Sequence, residues 1–134
     1  MTGWAPDALR LIEAADELEI APERTDGTLR RWVPIWVVSV GDQAFVRTWH
    51  RRETGWFGHV LKSRRAGIRV PGLQTTVLVD DVGAGPDNLR AAIDAAYHAK
   101  YGRYGSTSIE QMVNSSAAAT TLRLSPADSV GATE

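Results

Sequence analysis

The stretch Arg30-Arg-Trp-Val-Pro-Ile-Trp-Val-Val-Ser-Val40 runs into Gly41-Asp42 and then Gln43-Ala-Phe-Val-Arg-Thr-Trp-His50. Valine, isoleucine and tryptophan fit a half-buried pleated surface. A Gly-Asp break between two such runs turns the chain back on itself, so the passage reads as a β-hairpin. Pro34 cannot donate to a ladder, which marks an edge position or a bulge. Strand alternation puts Trp32, Pro34, Trp36 and Val38 on one face, and Arg31, Val33, Ile35 and Val37 on the other. On the returning strand Arg47 and Trp49 share a face.

Toward the N-terminus, Pro6 to Ala15 reads as a helix: proline suits its first turn, and Leu9, Ile12 and Ala15 fall on one side. Leu18 and Ile20 then alternate with Glu17 and Glu19 in a short strand that Pro22 stops, and Thr25-Asp26-Gly27 turns the chain. Toward the C-terminus, Thr54 is placed to cap a helix reaching Arg64. Gly67–Val70 and Gln74–Asp80 read as strands around a Pro71-Gly72 turn. A helix opens after Gly83-Ala-Gly-Pro86 and runs to Tyr101, with Leu89, Ile93, Ala96, Tyr97 and Tyr101 along one side. Thr107 and Glu110 have capping-box spacing for a further short helix carrying Ile109, Met112 and Val113. Thr120 to Ser125 is a last strand. Six strands and four helices in this order predict an α+β fold, and closing the strands into a barrel removes exposed edges. The expected organisation is one domain over residues 1–126 and a small, polar, flexible tail over 127–134.

A chain of 134 residues suits a single domain with one core. Absence of cysteine rules out disulfides, thiolate catalysis and zinc ribbons. No basic region followed by an apolar run opens the sequence, and no apolar stretch approaches the ~20 residues that span a bilayer, so the expectation is a cytoplasmic protein without a membrane partner. Net charge is −1, yet Arg30 to Val70 holds nine basic residues against two acids. This segregation favours anion capture by the middle of the chain. With only two lysines and an acidic remainder, the usual basic footprint of a nucleic-acid binder is missing, and nucleic acid is set aside as a partner.

Trp32, Trp36, Trp49 and Trp56, four of the five tryptophans, lie close to Arg30, Arg31, Arg47, Arg51 and Arg52. Indoles stack on flat rings, and guanidinium groups grip phosphate or carboxylate in forked fashion. Trp36, Trp49 and Phe57 are the candidate substrate-binding residues, and Arg47 is placed to hold a carboxylate or enolate. The competing reading packs these rings into the core. Tyr97, Lys100 and Tyr101 stand together on a helix, where a tyrosine beside a lysine can give up a proton if its pKa is lowered. Tyr97, Lys100 and Arg47 are therefore the candidate catalytic set, against the plainer reading that the tyrosines pin their helix to the sheet. No Gly-x-Ser-x-Gly elbow and no phosphate loop occur. Asp94 and His98 are one turn apart but form no recognised metal spacing, so no metal is expected.

Trp32-Val-Pro-Ile-Trp-Val-Val-Ser-Val-Gly-Asp, Phe45-Val-Arg-Thr, Trp56-Phe, Ile93-Asp-Ala-Ala-Tyr, Lys100-Tyr and Thr121-Leu-Arg-Leu-x-Pro126 together resemble the bacterial domain-of-unknown-function family 2255, over roughly Asp16 to Pro126. More distantly, the order of basic strand, hairpin, loop, Trp-aromatic helix and second hairpin is similar to the deazaflavin-dependent nitroreductase-like proteins, which are flavin-binding split barrels. That resemblance implies a six-strand antiparallel split β-barrel with flanking helices, a homodimer, and FMN or deazaflavin as cofactor. Carried across, Arg30, Arg31, Arg51 and Arg52 lie near the cofactor phosphate and Trp56 packs near its ring. Three functions stay open: a flavin- or deazaflavin-dependent reductase of an anionic or aromatic substrate, a cofactor-free cyclase, isomerase or lyase, and a non-catalytic small-molecule-binding protein.

Overall fold

The computed structural model describes residues 4–48, 55–83 and 85–127. Among these, seven antiparallel strands form one curled sheet: β1 (Leu18–Pro22), β2 (Val33–Ile35), β3 (Val38–Val40), β4 (Gln43–Val46), β5 (Arg65–Val70), β6 (Leu73–Asp81) and β7 (Leu122–Pro126). Their order is β2-β1-β5-β6-β7-β4-β3. Helices α1 (Pro6–Ala14), α2 (Gly55–Ser63), α3 (Asp87–Tyr101), α4 (Ser106–Val113) and α5 (Ser115–Ala118) flank the sheet, with a 3-10 turn at Gly102–Tyr104.

The architecture is the α+β split barrel, with seven strands where six were expected. The extra one comes from the passage 30–40, which divides at Trp36 and Val37. β2 pairs with β1 (Ile20 opposite Val33), while β3 pairs with β4 (Val38 opposite Phe45). The two halves therefore occupy opposite edges of the sheet. From Ile35 to Val38 is three residues, which span at most about 11 Å. The sheet must curl until its edges nearly meet, and the joint Trp36–Val37 bridges the split. Pro34 sits in an edge strand, where its missing N–H disrupts no interior ladder.

Alternation survives the break. Val33, Ile35 and Val37 pack on the barrel core, while Trp36 and Val38 belong to the outer cluster and Pro34 is exposed. Inside, Leu18, Ile20, Ala44, Val46, Ile68, Val77, Val79, Leu122 and Leu124 meet Ile12 of α1 and Phe57 and Val60 of α2. Each large aliphatic side chain buried this way contributes roughly 1.5–3 kcal/mol. Outside, Val38 and Phe45 pack against Ile93, Tyr97 and Tyr101 of α3 and Ile109 and Met112 of α4. β3 and β4 are thus covered on both faces. Trp4 ties the N-terminus down: its amide donates to Asp42 O at 2.8 Å and its Nε1 to Leu124 O at 2.8 Å.

Local chemistry set most boundaries. Gly41 takes φ +62° in the β3–β4 hairpin, a conformation that suits glycine. The expected capping box at Thr107 does not form. α4 begins at Ser106 with Gly105 as its N-cap, at φ 100° and ψ 157°, a region essentially restricted to glycine. Asn114 caps α5 instead, accepting from Ala117 N at 2.8 Å. The last strand starts at Leu122 rather than Thr120, because Thr120 Oγ1 donates to Ala117 O at 2.6 Å and accepts from Thr48 N at 3.0 Å. Ala127, assigned to the tail, donates its amide to Thr76 O at 3.0 Å. Residues 128–134 and the expected cap Thr54 lie outside the described residues. Among the described residues no helix is long and apolar enough to cross a membrane.

Candidate functional site

Beside the β2 edge lies a cleft of about 540 Å³. Val33, Pro34, Ile35 and Trp36 form one wall. Arg47 and Thr48, following β4, and Gly55 and Trp56, opening α2, form another. α4 contributes Ser108, Gln111 and Met112, at the i, i+3, i+4 spacing that shares a helix face. Glu17 and Arg31, both exposed, complete the lining.

Trp36 is held from behind. Its ring lies 4.1 Å from that of Tyr101 with 3° between the planes, and Tyr104 stands at 5.6 Å. Tyr101 ends the α3 face begun by Ile93 and Tyr97 and is fully buried. Its hydroxyl donates to Asp16 O at 2.7 Å and accepts from Val37 N at 3.1 Å. The Lys100 ammonium donates to Val37 O at 2.8 Å and Ile12 O at 3.3 Å. Val37 lies in no ladder, so this tyrosine and lysine satisfy its backbone in place of a neighbouring strand. Burial pushes the Tyr101 hydroxyl up to about 12 and brings the Lys100 ammonium down to about 8, against the pull of Glu13 and Asp16.

Arg47 backs the cleft without reaching into it. Its side chain has no solvent exposure. Nε donates to Thr121 Oγ1 at 2.8 Å, and Nη1 donates to Asp94 Oδ1 at 2.6 Å and Met112 O at 2.9 Å. Among the described residues Nη2 has no hydrogen-bond partner, nor has the hydroxyl of Tyr97, over whose ring the guanidinium sits at 5.4 Å. Asp94 also faces Arg90 Nε at 3.6 Å. A buried charge requires such pairing and hydrogen bonding. The network joins β4, α3, α4 and the start of β7, so Arg47 fixes the walls around the cleft.

Of the sequence-derived candidates, Arg31, Trp36, Arg47 and Trp56 meet at this cleft. Trp56 presents its ring edge-on to Phe57, with centroids 5.7 Å apart and planes at 88°. Phe57, expected to touch substrate, is turned into the barrel core. Arg30 does not line the cleft; it is half-buried and its amide donates to Pro22 O at 2.8 Å. Tyr97 and Lys100 do not line it either. Burial raises the Tyr97 hydroxyl well above its ordinary value, the reverse of the lowered pKa that proton donation required. The plainer reading of the tyrosines, as pins for α3, describes their contacts. Trp49, Arg51 and Arg52 lie outside the described residues. Trp32 shares the outward face with Trp36 but does not meet it, packing instead under Arg69 at 4.2 Å. Asp94, weighed with His98 as a metal pair, is engaged by Arg47 and Arg90. Among the described residues no three His, Cys, Asp or Glu side chains gather as a metal site.

Sequence reasoning assigned nothing to Glu17, Thr48, Ser108, Gln111 or Met112. The 108, 111, 112 spacing is visible in the sequence, but of these residues Met112 alone is named there, as part of a short helix with no role at a site. Nothing in the sequence said that α4 would stand opposite β2.

No curated protein matches the sequence. Among solved structures, HutZ, the heme storage protein from Vibrio cholerae, is 12% identical with TM-score 0.64, covering 90% of this chain and 88% of its own. An FAD-binding protein from Mesorhizobium loti is 14% identical with TM-score 0.57, at coverages of 94% and 91%. A pyridoxamine 5′-phosphate oxidase-related, FMN-binding protein from Nostoc punctiforme is 14% identical with TM-score 0.52, at 92% and 81%. At such identities the likeness establishes the split-barrel fold. A family model matches residues 8–124, and the chain belongs to that family, DUF2255, described as uncharacterized protein conserved in bacteria.

Proposed function

We propose that this protein binds a small anionic molecule carrying a planar aromatic ring, of the flavin or deazaflavin class, and that it serves a reductase reaction. The observation that carries the reading is the cleft itself, in which Trp36, rigidly backed by Tyr101, and Trp56 share the lining with the exposed Arg31. Its volume lies in the range typical of small-molecule sites. Arg31 is the group that would meet a phosphate, and the two indoles would flank the ring. The FAD- and FMN-binding split barrels support this cofactor class. Such a cofactor supplies the hydride chemistry, while the protein supplies orientation and charge. The residues fit haem less well. Iron needs an axial His, Cys, Tyr or Met, and among the described lining residues Met112 is the one side chain of that kind, buried in the outer cluster.

Titration of the purified protein with FMN and with a deazaflavin cofactor, followed by tryptophan quenching, tests the reading. Saturable binding at micromolar concentration is expected, weakened about five- to tenfold by Arg31→Gln through loss of a charge-assisted hydrogen bond at an exposed site. If neither cofactor binds at millimolar concentration while a ringless carboxylate does, the cofactor-free reading replaces this one.

A further inference from the structure

Among the described residues, aromatic stacking closes one of the two faces of Trp36. The centroids of Trp36, Tyr101 and Tyr104 form a triangle with sides of 4.1, 5.6 and 6.2 Å. Were Tyr104 across the indole from Tyr101, those two rings would stand apart by nearly the sum of their distances to Trp36. They are much closer, so Tyr104 lies alongside. One indole face is therefore closed by Tyr101, with 3° between the planes, and among the described residues no ring covers the other. Trp36 is partly exposed and lines the cleft.

The pedestal beneath it is rigid. Tyr101 is fully buried, and its hydroxyl is fixed by Asp16 O and Val37 N, the latter belonging to the residue after the tryptophan itself. The indole plane is thus set from two directions, by the chain at Val37 and by the ring at Tyr101. A preset aromatic face lowers the ordering cost of binding.

We infer that the face of Trp36 turned away from Tyr101 is the stacking platform for the ligand's ring, and that Tyr101 is its positioning residue. The inference rests on the reading of the cleft given above and deepens it. The ring, rather than the anionic tail, supplies most of the affinity, and the ligand class narrows to planar conjugated heterocycles. Ser108 and Gln111, on the facing side of α4, bring a hydroxyl and an amide to the same cleft, so a ring with carbonyl and N–H groups along its edge suits it better than a bare hydrocarbon.

The test uses the whole chain and FMN, lumichrome and ribose 5-phosphate as probes. FMN should bind with its fluorescence quenched by the indole. Lumichrome, which has the ring without the phosphate, should compete with it, and ribose 5-phosphate should compete at least tenfold less well. Trp36→Leu should weaken FMN by about ten- to a hundredfold, as loss of a stacking partner does. Trp36→Phe should keep most of the affinity but restore part of the FMN fluorescence, Trp56 quenching the rest. Tyr101→Leu should weaken binding, and Tyr101→Phe, which keeps the stacked ring, should rescue it. FMN binding that ribose 5-phosphate displaces as well as lumichrome does, or quenching that Trp36→Phe leaves undiminished, overturns the platform while leaving the cleft's ligand class standing. Failure of both FMN and the deazaflavin cofactor to bind the parent protein removes both. The competition arm needs no variant to fold.

Discussion

Arg47 and Asp94 share an ion pair but not a burial. The arginine side chain is wholly enclosed, whereas the aspartate keeps 26% of its exposure and has Arg90 as a second partner. Removing either end should therefore have unequal consequences. Asp94→Ala leaves a buried guanidinium without its counter-charge and should cost about 3–5 kcal/mol. Arg47→Met removes the buried charge itself and leaves Asp94 near water beside Arg90, so it should cost clearly less. Urea denaturation of the two variants checks the order. Arg47 was legible in the sequence as a basic residue on the returning strand. Its partners were not, since Asp94, Met112 and Thr121 come from distant segments that only folding brings together. A side chain that looked fit to hold a ligand is consumed in holding the protein.

At the level of elements, the joint between β2 and β3 carries the fold. Its alternation could be read directly: Val33, Ile35 and Val37 do face the core and Trp36 faces out. The break could not be read, because the residues around it, Ile35 to Val38, are all apolar and β-favouring, and what divides them is the curl of the whole sheet. Lys100 and Tyr101 stitch this joint, which gives stability a pH signature. Lys100, brought down to about 8 mainly by desolvation, binds fewer protons when folded than when unfolded between pH 8 and its ordinary pKa near 10.5. Its unfavourable contribution is complete below pH 8 and disappears as pH rises through that window, so this group makes the protein more stable toward alkali. Tyr101, raised to about 12, acts oppositely above pH 10, where the unfolded state ionises first. Thermal melts of the parent and of Lys100→Met at pH 7.5 and pH 9.5 should show the gap between them shifting in favour of the parent at the higher pH. An unchanged gap would mean that the ammonium is not the titrating group at the seam.

For the molecule as a whole, the hairpins 38–46 and 65–81, the long helix α3 and the α+β class were legible, since each rests on local turn chemistry and periodicity. The cleft was legible only in part. Arg31, Trp36 and Trp56 were named from composition, while the α4 wall depends on packing between segments about 70 residues apart. A ligand that occupies the cleft binds only the closed barrel. Saturating it at a hundred times its Kd should stabilise the fold by about 2.7 kcal/mol, and the rise in melting temperature should follow the logarithm of ligand concentration.

β7 lies between β6 and β4, with Val79 opposite Leu124 on one side and Ala44 opposite Leu124 on the other. Among the described residues, the strand latest in the sequence is thus inserted within the sheet rather than at its edge. Before it emerges from the ribosome, the growing polypeptide holds two separate pieces, β2-β1-β5-β6 and β4-β3, each with an unzipped margin of apolar backbone. Neither margin is sealed until residues 122–126 have been made, and during that interval the nascent chain is exposed to pairing with its neighbours. A version terminated after Thr121 should accumulate as aggregate rather than as a slightly weakened monomer, and supplying residues 122–127 as a separate peptide should recover soluble protein.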